Sequence, residues 1–279
     1  MGVRSPVTGE MLGAFGCWGW SDVSLEEAAE RGRERAKQVA EMIRTGKRPE
    51  HYLYGDRPMR EEIIEEWTRS DGTRYAAVTL NAYGCLVLNT ASIMFVDVDL
   101  PRIPAWQLFK HRLAGLLGKR GESPEARQVS DALAKVAGMI EREPGCGVRV
   151  YRTFAGLRYL ITHAQADPVA ERTFREMEAL GADPLYVRLC KVQACFRARL
   201  NPKPWRCGMQ ALPVSFPWKD GVAEETVRKW KEAHAKKSQE YATCSLIKQY
   251  GPAATDDEII RVVAFHDQQT KAASGLALA

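Results

Sequence analysis

Several features are missing from this 279-residue sequence, and each absence excludes a class of protein. No apolar run comes near the roughly 20 residues that a membrane-crossing helix needs. The opening MGVRSPVTGEMLGAFGCWGW is apolar in places, but its glycines and Pro6 interrupt it. With no signal peptide visible, the expectation is a cytoplasmic protein with no membrane partner. The cysteines lack paired zinc spacing: there are seven, at 17, 85, 146, 190, 195, 207 and 244, and the nearest pair, in CKVQAC, is C-x4-C. An odd number at such spacings reads as reduced, structural thiols. There is no P-loop, no dinucleotide-binding glycine motif and no nucleophile elbow. Internal repeats and low-complexity segments are absent too. Excess charge is nearly absent: the net value is +5, which says little about partners.

What is present starts with 45% hydrophobic residues, enough for a sizeable core. The clearest helix is predicted over 24–45, with Ser24 as N-cap and Glu27 completing a capping box. Gly46 and Pro49 stop it. A second helix is expected from Pro58 to about Arg69, with Asp56 as its cap. GTRYAAVTLNAYGCLVLNTASIMFVDVDLP reads as strands with turns near Tyr83-Gly84 and Asn89-Thr90. Two helices follow, the second opened by Ser123-Pro124. GVRVYRTFAGLRYLITH reads as a hairpin turning at Ala155-Gly156. A helix follows from DPVAERTFREMEALGAD, then a strand in CFRARL, a proline-rich loop, and helices over 223–240 and 255–270. The pattern predicts an α+β fold: an N-terminal helical region (1–69), a largely antiparallel core (70–212) and a C-terminal helical region (213–279).

Within that core, the strand SIMFVDVDLP ends in two acids. Alternation puts Asp97 and Asp99 on one face and Val98 on the other. Two like charges so close repel unless a cation joins them. A hard divalent ion, Mg²⁺ or Mn²⁺, suits such oxygen donors and can clamp a phosphoryl group. Strand-end acids accepting loop amides are the plainer alternative.

Two downstream segments offer positive charge. In RVYRTFAGLRYLITH, Thr153, Arg158 and the turn at Gly156 could hold phosphates, because glycine allows close backbone approach and arginine pairs with two oxygens. The same pattern also fits a half-exposed hairpin. Between Asp183 and Asp220 there is no acid at all, while Arg188, Lys191, Arg197, Arg199, Lys203, Arg206 and Lys219 lie inside the window. Phe196 and Trp205 are among the aromatics between them. Cations that track a backbone, and rings that stack on bases, suit single-stranded nucleic acid or a nucleotide. The His266-Asp267 pair lacks the further ligands of a His-Asp phosphohydrolase. Asp167, near His163, reads as a helix cap.

Taken in order, FVDVD, RTFAGLRYL and FRARLNPKP resemble the motifs of the archaeo-eukaryotic primase and primase-polymerase superfamily. The likeness spans about 90–205, with Arg158 where that family carries a histidine. It implies an RRM-like catalytic core and divalent-metal nucleotidyl transfer. Asp97 and Asp99 would hold metal, Asp183 would be a third catalytic acid, and Arg158, Arg197, Arg199 and Lys203 would meet triphosphate or template. The whole chain also resembles a bacterial protein family, a likeness that carries no chemistry. Three readings follow: a nucleotidyl- or phosphoryl-transfer enzyme, a non-catalytic nucleotide or nucleic-acid binder on the same scaffold, and an interaction protein using its long amphipathic helices.

Overall fold

The computed structural model describes residues 2–4, 11–14, 17, 19, 21, 23–46, 60–116 and 121–279. It divides into two units, residues 1–59 and 60–279. In the first, β1 (Gly2–Arg4) pairs antiparallel with β2 (Met11–Ala14), and α1 spans Leu25–Arg44. Ser24 caps α1 by accepting the Glu27 N–H at 3.1 Å. The reciprocal half of the capping box is missing, because the Glu27 carboxylate instead takes the Ser21 hydroxyl and the Arg31 guanidinium. The expected Asp56 cap lies outside the described residues.

The second unit is α+β, and all but one of its strand pairings are antiparallel. In chain order it contains β3 (Glu62–Thr68), β4 (Arg74–Leu80), β5 (Leu86–Thr90) and β6 (Phe95–Asp99). Helices α2 (Ala105–Leu116) and α3 (Pro124–Arg142) lead to the hairpin β7 (Val148–Thr153) and β8 (Gly156–Ile161). Then come α4 (Glu171–Ala179), α5 (Pro184–Gln193), β9 (Phe196–Arg199) and α6 (Gly221–Ser238). The chain closes with β10 (Tyr241–Ala242), β11 (Cys244–Tyr250), α7 (Asp257–Thr270) and β12 (Ala277–Leu278). One four-stranded sheet runs β3-β4-β5-β9 and the other β11-β7-β8-β6, while β10 and β12 form a short parallel pair.

Both four-stranded sheets feed one apolar core. Leu88, Phe196 and Ala198 from the first meet Phe95, Val150 and Leu160 from the second, under Val136, Met177 and Ile259 of the helices. Each large side chain so buried contributes about 1.5–3 kcal/mol. Tyr186 of α5 joins the sheets with its hydroxyl. That oxygen lies 3.1 Å from the Phe95 carbonyl and 2.9 Å from the Arg197 carbonyl, and accepts the Arg197 N–H.

Three expectations need correction. Residues 62–68 form strand β3, not a helix, because their acids are matched across strands and elements rather than along a helix. Glu61 meets Arg197, Glu62 meets Lys231 and Glu66 meets Arg74, while Trp67 turns into the core. The C-terminal segment is not purely helical: β11 pairs with β7 and extends the sheet beyond residue 212. Asp167 is not the cap of α4. Its carboxylate accepts the Val169 N–H in the preceding turn, and Ala170 holds the N-cap position without a side-chain bond.

Candidate functional site

Strand β6 is buried until its last residues, where Asp97 is half-buried and Asp99 exposed. Antiparallel register sets Asp97 directly opposite Arg158 and Asp99 opposite Gly156. The Arg158 guanidinium, 2% exposed, closes on Asp97 at two points: Nε to Oδ1 at 2.7 Å and Nη2 to Oδ2 at 3.1 Å. Its Nη1 donates to the Arg199 carbonyl at 2.9 Å and lies 3.4 Å from His266 Nε2. Burial opposes the charge on Arg158, but the Asp97 carboxylate outweighs it and holds the cation firmly charged.

The chain of polar contacts continues beneath. His266 Nδ1 stands 3.2 Å from Asp267 Oδ1, and Asp267 accepts the Tyr151 hydroxyl at 2.7 Å and Arg149 Nη2 at 2.5 Å. Burial pushes His266 down to about 4, and the nearby Arg158 cation adds to this against the Asp267 carboxylate. The imidazole is therefore neutral at ordinary pH. A proton on Nδ1 facing Asp267 leaves Nε2 to accept from Arg158. Buried His266, held by the half-buried Asp267, is thus a prop beneath Arg158.

At the strand end, two charge groups meet. The Asp183 N–H donates to the Asp97 carbonyl at 2.9 Å, and its carboxylate caps α5 through the Leu185 N–H at 3.2 Å. Partial burial pushes the Asp99 carboxyl up, and the charges of Asp183 and Asp97 push it further. Lys203 and Arg206 act on Asp99 in the opposite sense. These cations are themselves depressed by burial, Lys203 further by Arg199 and Arg206. Arg199 is held down at about 10, by burial and by the positive charges of Arg158 and Arg206. Its Nη1 donates to the Asn201 carbonyl at 2.6 Å. At the end of β6, acids and cations thus act on one another's charge.

The other sequence-predicted residues fall in different places. Arg197 directs its guanidinium to Glu61, with Nη2 at 2.8 and 2.9 Å from the two carboxylate oxygens. Phe196 is fully buried and cannot stack on a base; alternation along β9 sends its ring into the core. The Thr153 hydroxyl accepts the Gly156 N–H at 3.1 Å inside the hairpin turn. Gly156 serves strand packing: a Cβ there would sit 1.9 Å from the Val98 carbonyl oxygen. Trp205 remains open at 50% exposure, edge-on to Tyr83, with the Lys203 ammonium 5.5 Å from its ring centre. Arg206 was left out of the predicted site, as was Phe154. Its guanidinium lies 4.1 Å above the exposed Phe154 ring at the hairpin tip. Phe154 lies in the hairpin and Arg206 in the acid-free window, and their aromatic-basic pattern is the signal that could have found them.

The oxygen donors of Asp97, Asp99 and Asp183 fit a hard divalent cation in kind. Both Asp97 oxygens already accept from Arg158, and the donor atoms of the three acids do not all lie within 4.8 Å of one another. An ion there would be held by one or two carboxylates and would keep most of its waters. Among the described residues no helix is long and apolar enough to cross a membrane. Compared with protein-family models, curated proteins and solved structures, the chain matches none.

Proposed function

We propose that this protein is a divalent-cation-dependent nucleotidyl- or phosphoryl-transfer enzyme acting on nucleotides or single-stranded nucleic acid. The observation that carries the reading is Asp99, an exposed acid at the end of β6 whose carboxyl is pushed up by partial burial and by the charges of Asp183 and Asp97, and down by those of Lys203 and Arg206. Asp99 and Asp183, with any share Asp97 can spare from Arg158, hold Mg²⁺ or Mn²⁺. When bound, that ion supplies charge stabilisation at a phosphoryl oxygen. Arg199, Lys203 and Arg206 receive the phosphates, and an anion there relieves their mutual repulsion. Trp205 and Phe154 offer ring faces to bases. In this reading the sheet β11-β7-β8-β6 corresponds to the RRM-like core that the primase resemblance implies, and Arg158 positions Asp97 instead of touching nucleotide.

Calorimetric titration with Mn²⁺ and a nucleoside triphosphate, on wild type and on Asp99→Asn, tests the proposal. The variant is expected to lose cation-dependent nucleotide binding, and equal binding by both proteins would remove its basis. A second reading, non-catalytic binding, draws on the two-point Asp97–Arg158 pair, which occupies both oxygens of one acid. It expects single-strand binding to persist unchanged, without any cation requirement, in an Asp99→Asn/Asp183→Asn double variant.

A further inference from the structure

At the end of the β7–β8 hairpin remote from Gly156, three side chains of ligand type converge. Cys146 Sγ lies 3.2 Å from Glu143 Oε2 and 3.4 Å from His163 Nε2. The three donor atoms all fall within 4.8 Å of one another, and no other group of three His, Cys, Asp or Glu does so among the described residues. Ligands about 2.0–2.3 Å from a tetrahedral ion stand about 3.5 Å apart, close to both spacings.

The backbone sets these atoms in place. Glu143-Pro144-Gly145-Cys146 closes a turn in which the Cys146 N–H donates to the Glu143 carbonyl at 2.9 Å, so the two side chains emerge together. Gly251, at φ +67°, passes so close that a Cβ would lie 1.7 Å from the Cys146 carbonyl oxygen. A Cβ on Gly147 would meet Thr162 Oγ1 at 2.6 Å and the Pro252 carbonyl oxygen at 2.7 Å. Cys146 is thus wedged between the exit of β8 and the Gly251-Pro252 turn. His163 Nδ1 lies 3.4 Å from the Gly147 carbonyl oxygen. A proton on Nδ1 aimed there leaves the lone pair on Nε2, the atom beside the thiol, as in imidazoles that bind metal through one nitrogen and are oriented through the other.

A nucleophilic Cys-His pair would need positive surroundings to favour the thiolate. Here the group beside the thiol is a carboxylate, Glu143 Oε2 at 3.2 Å. The donor set also argues against Mg²⁺ or Ca²⁺, which take oxygen alone. Sulfur, nitrogen and oxygen together suit a borderline-soft ion. We propose that Glu143, Cys146 and His163 bind a zinc-class divalent cation, independent of the acids at the end of β6. The ion ties the α3–β7 turn to the end of β8 and serves as a staple.

The test uses the full chain, stripped by chelator and titrated with Co²⁺ and then Zn²⁺. Wild type is expected to show a thiolate-to-cobalt charge-transfer band at one equivalent, and a thermal midpoint that rises with Zn²⁺. Cys146→Ser is expected to lose both, whereas Cys195→Ser, outside the group, keeps both. Loss of an outer partner alone costs about 10- to 100-fold in metal affinity, so His163→Ala is expected to weaken binding by at least that much. Should Cys146→Ser fail to fold, His163→Ala and Glu143→Gln carry the test. A cobalt band that survives Cys146→Ser, wild-type affinity in His163→Ala and Glu143→Gln, or no band in wild type, would overturn the proposal.

Discussion

Asp97 and Arg158 are register partners across β6 and β8, and their side chains close a two-point ion pair between a half-exposed carboxylate and a buried guanidinium. Arg158 also bonds to the Arg199 carbonyl on β9, so one side chain links the two four-stranded sheets at the end of β6. Whatever Asp99 and the nearby cations do, this pair fixes the strand that carries Asp99.

Removing one partner leaves a charge without its mate. Asp97→Ala strands a cation that is 2% exposed, and such losses cost about 3–5 kcal/mol. Replacing both residues by leucine removes the stranded charge, so the double variant is expected to unfold at higher urea than Asp97→Ala. A strictly additive double-mutant cycle in urea would show that the pair carries no coupling.

His266 makes stability depend on pH. Facing it are Asp267 on its own helix, Arg158 on β8, Asp97 on β6, Tyr151 on β7 and Cys244 on β11. Its folded value of about 4 lies below the ordinary 6.5, so the unfolded chain binds the extra proton first. Stability is therefore complete above pH ~6.5 and is lost as pH falls towards about 4, by on the order of 3 kcal/mol. Urea midpoints across that interval are expected to fall for wild type and to fall less for His266→Gln. Equal slopes would remove His266 as the cause.

Asp99 should show the opposite trade. Its carboxyl is pushed up by partial burial, Asp183 and Asp97, so its charge disfavours the unliganded fold. Asp99→Asn is expected to stabilise that state slightly, by a few tenths of a kcal/mol given its exposure. The same variant is expected to lose Mn²⁺ binding. A less stable variant that still binds Mn²⁺ would contradict both expectations.

Much of the fold was legible where local rules and tertiary structure agree. Ser24 and Ser123 cap their helices, and the β7–β8 hairpin turns at Phe154-Ala155, one residue before the expected pair. The misses come from long-range partners. EEIIEEW reads as helix until Arg197, 136 residues from Glu61, draws that acid across to β9. Helix α5 is absent from the sequence reading, although Asp183-Pro184 is a helix start. At the site, the Asp97–Asp99 spacing was visible, but the pairing of Asp97 with a residue 61 positions away was not. The Glu143–Cys146–His163 group was missed because its third member arrives after a complete hairpin.

Half-buried cations beside two exposed rings make the last prediction. Arg199, Lys203 and Arg206 offer three cations, and Trp205 and Phe154 lie open beside two of them. If single-stranded nucleic acid binds there, affinity falls with salt at a slope near −0.7 per neutralised phosphate. Arg206→Ala is then expected to flatten the slope by about 0.7, and Trp205→Ala to cost about 1–3 kcal/mol while leaving the slope unchanged. Arg197→Lys serves as contrast, since its guanidinium is committed to Glu61 and should alter stability more than binding. Fluorescence anisotropy of a labelled oligonucleotide over a salt series separates charge from stacking. Identical slopes for wild type and Arg206→Ala would take this surface out of the binding site.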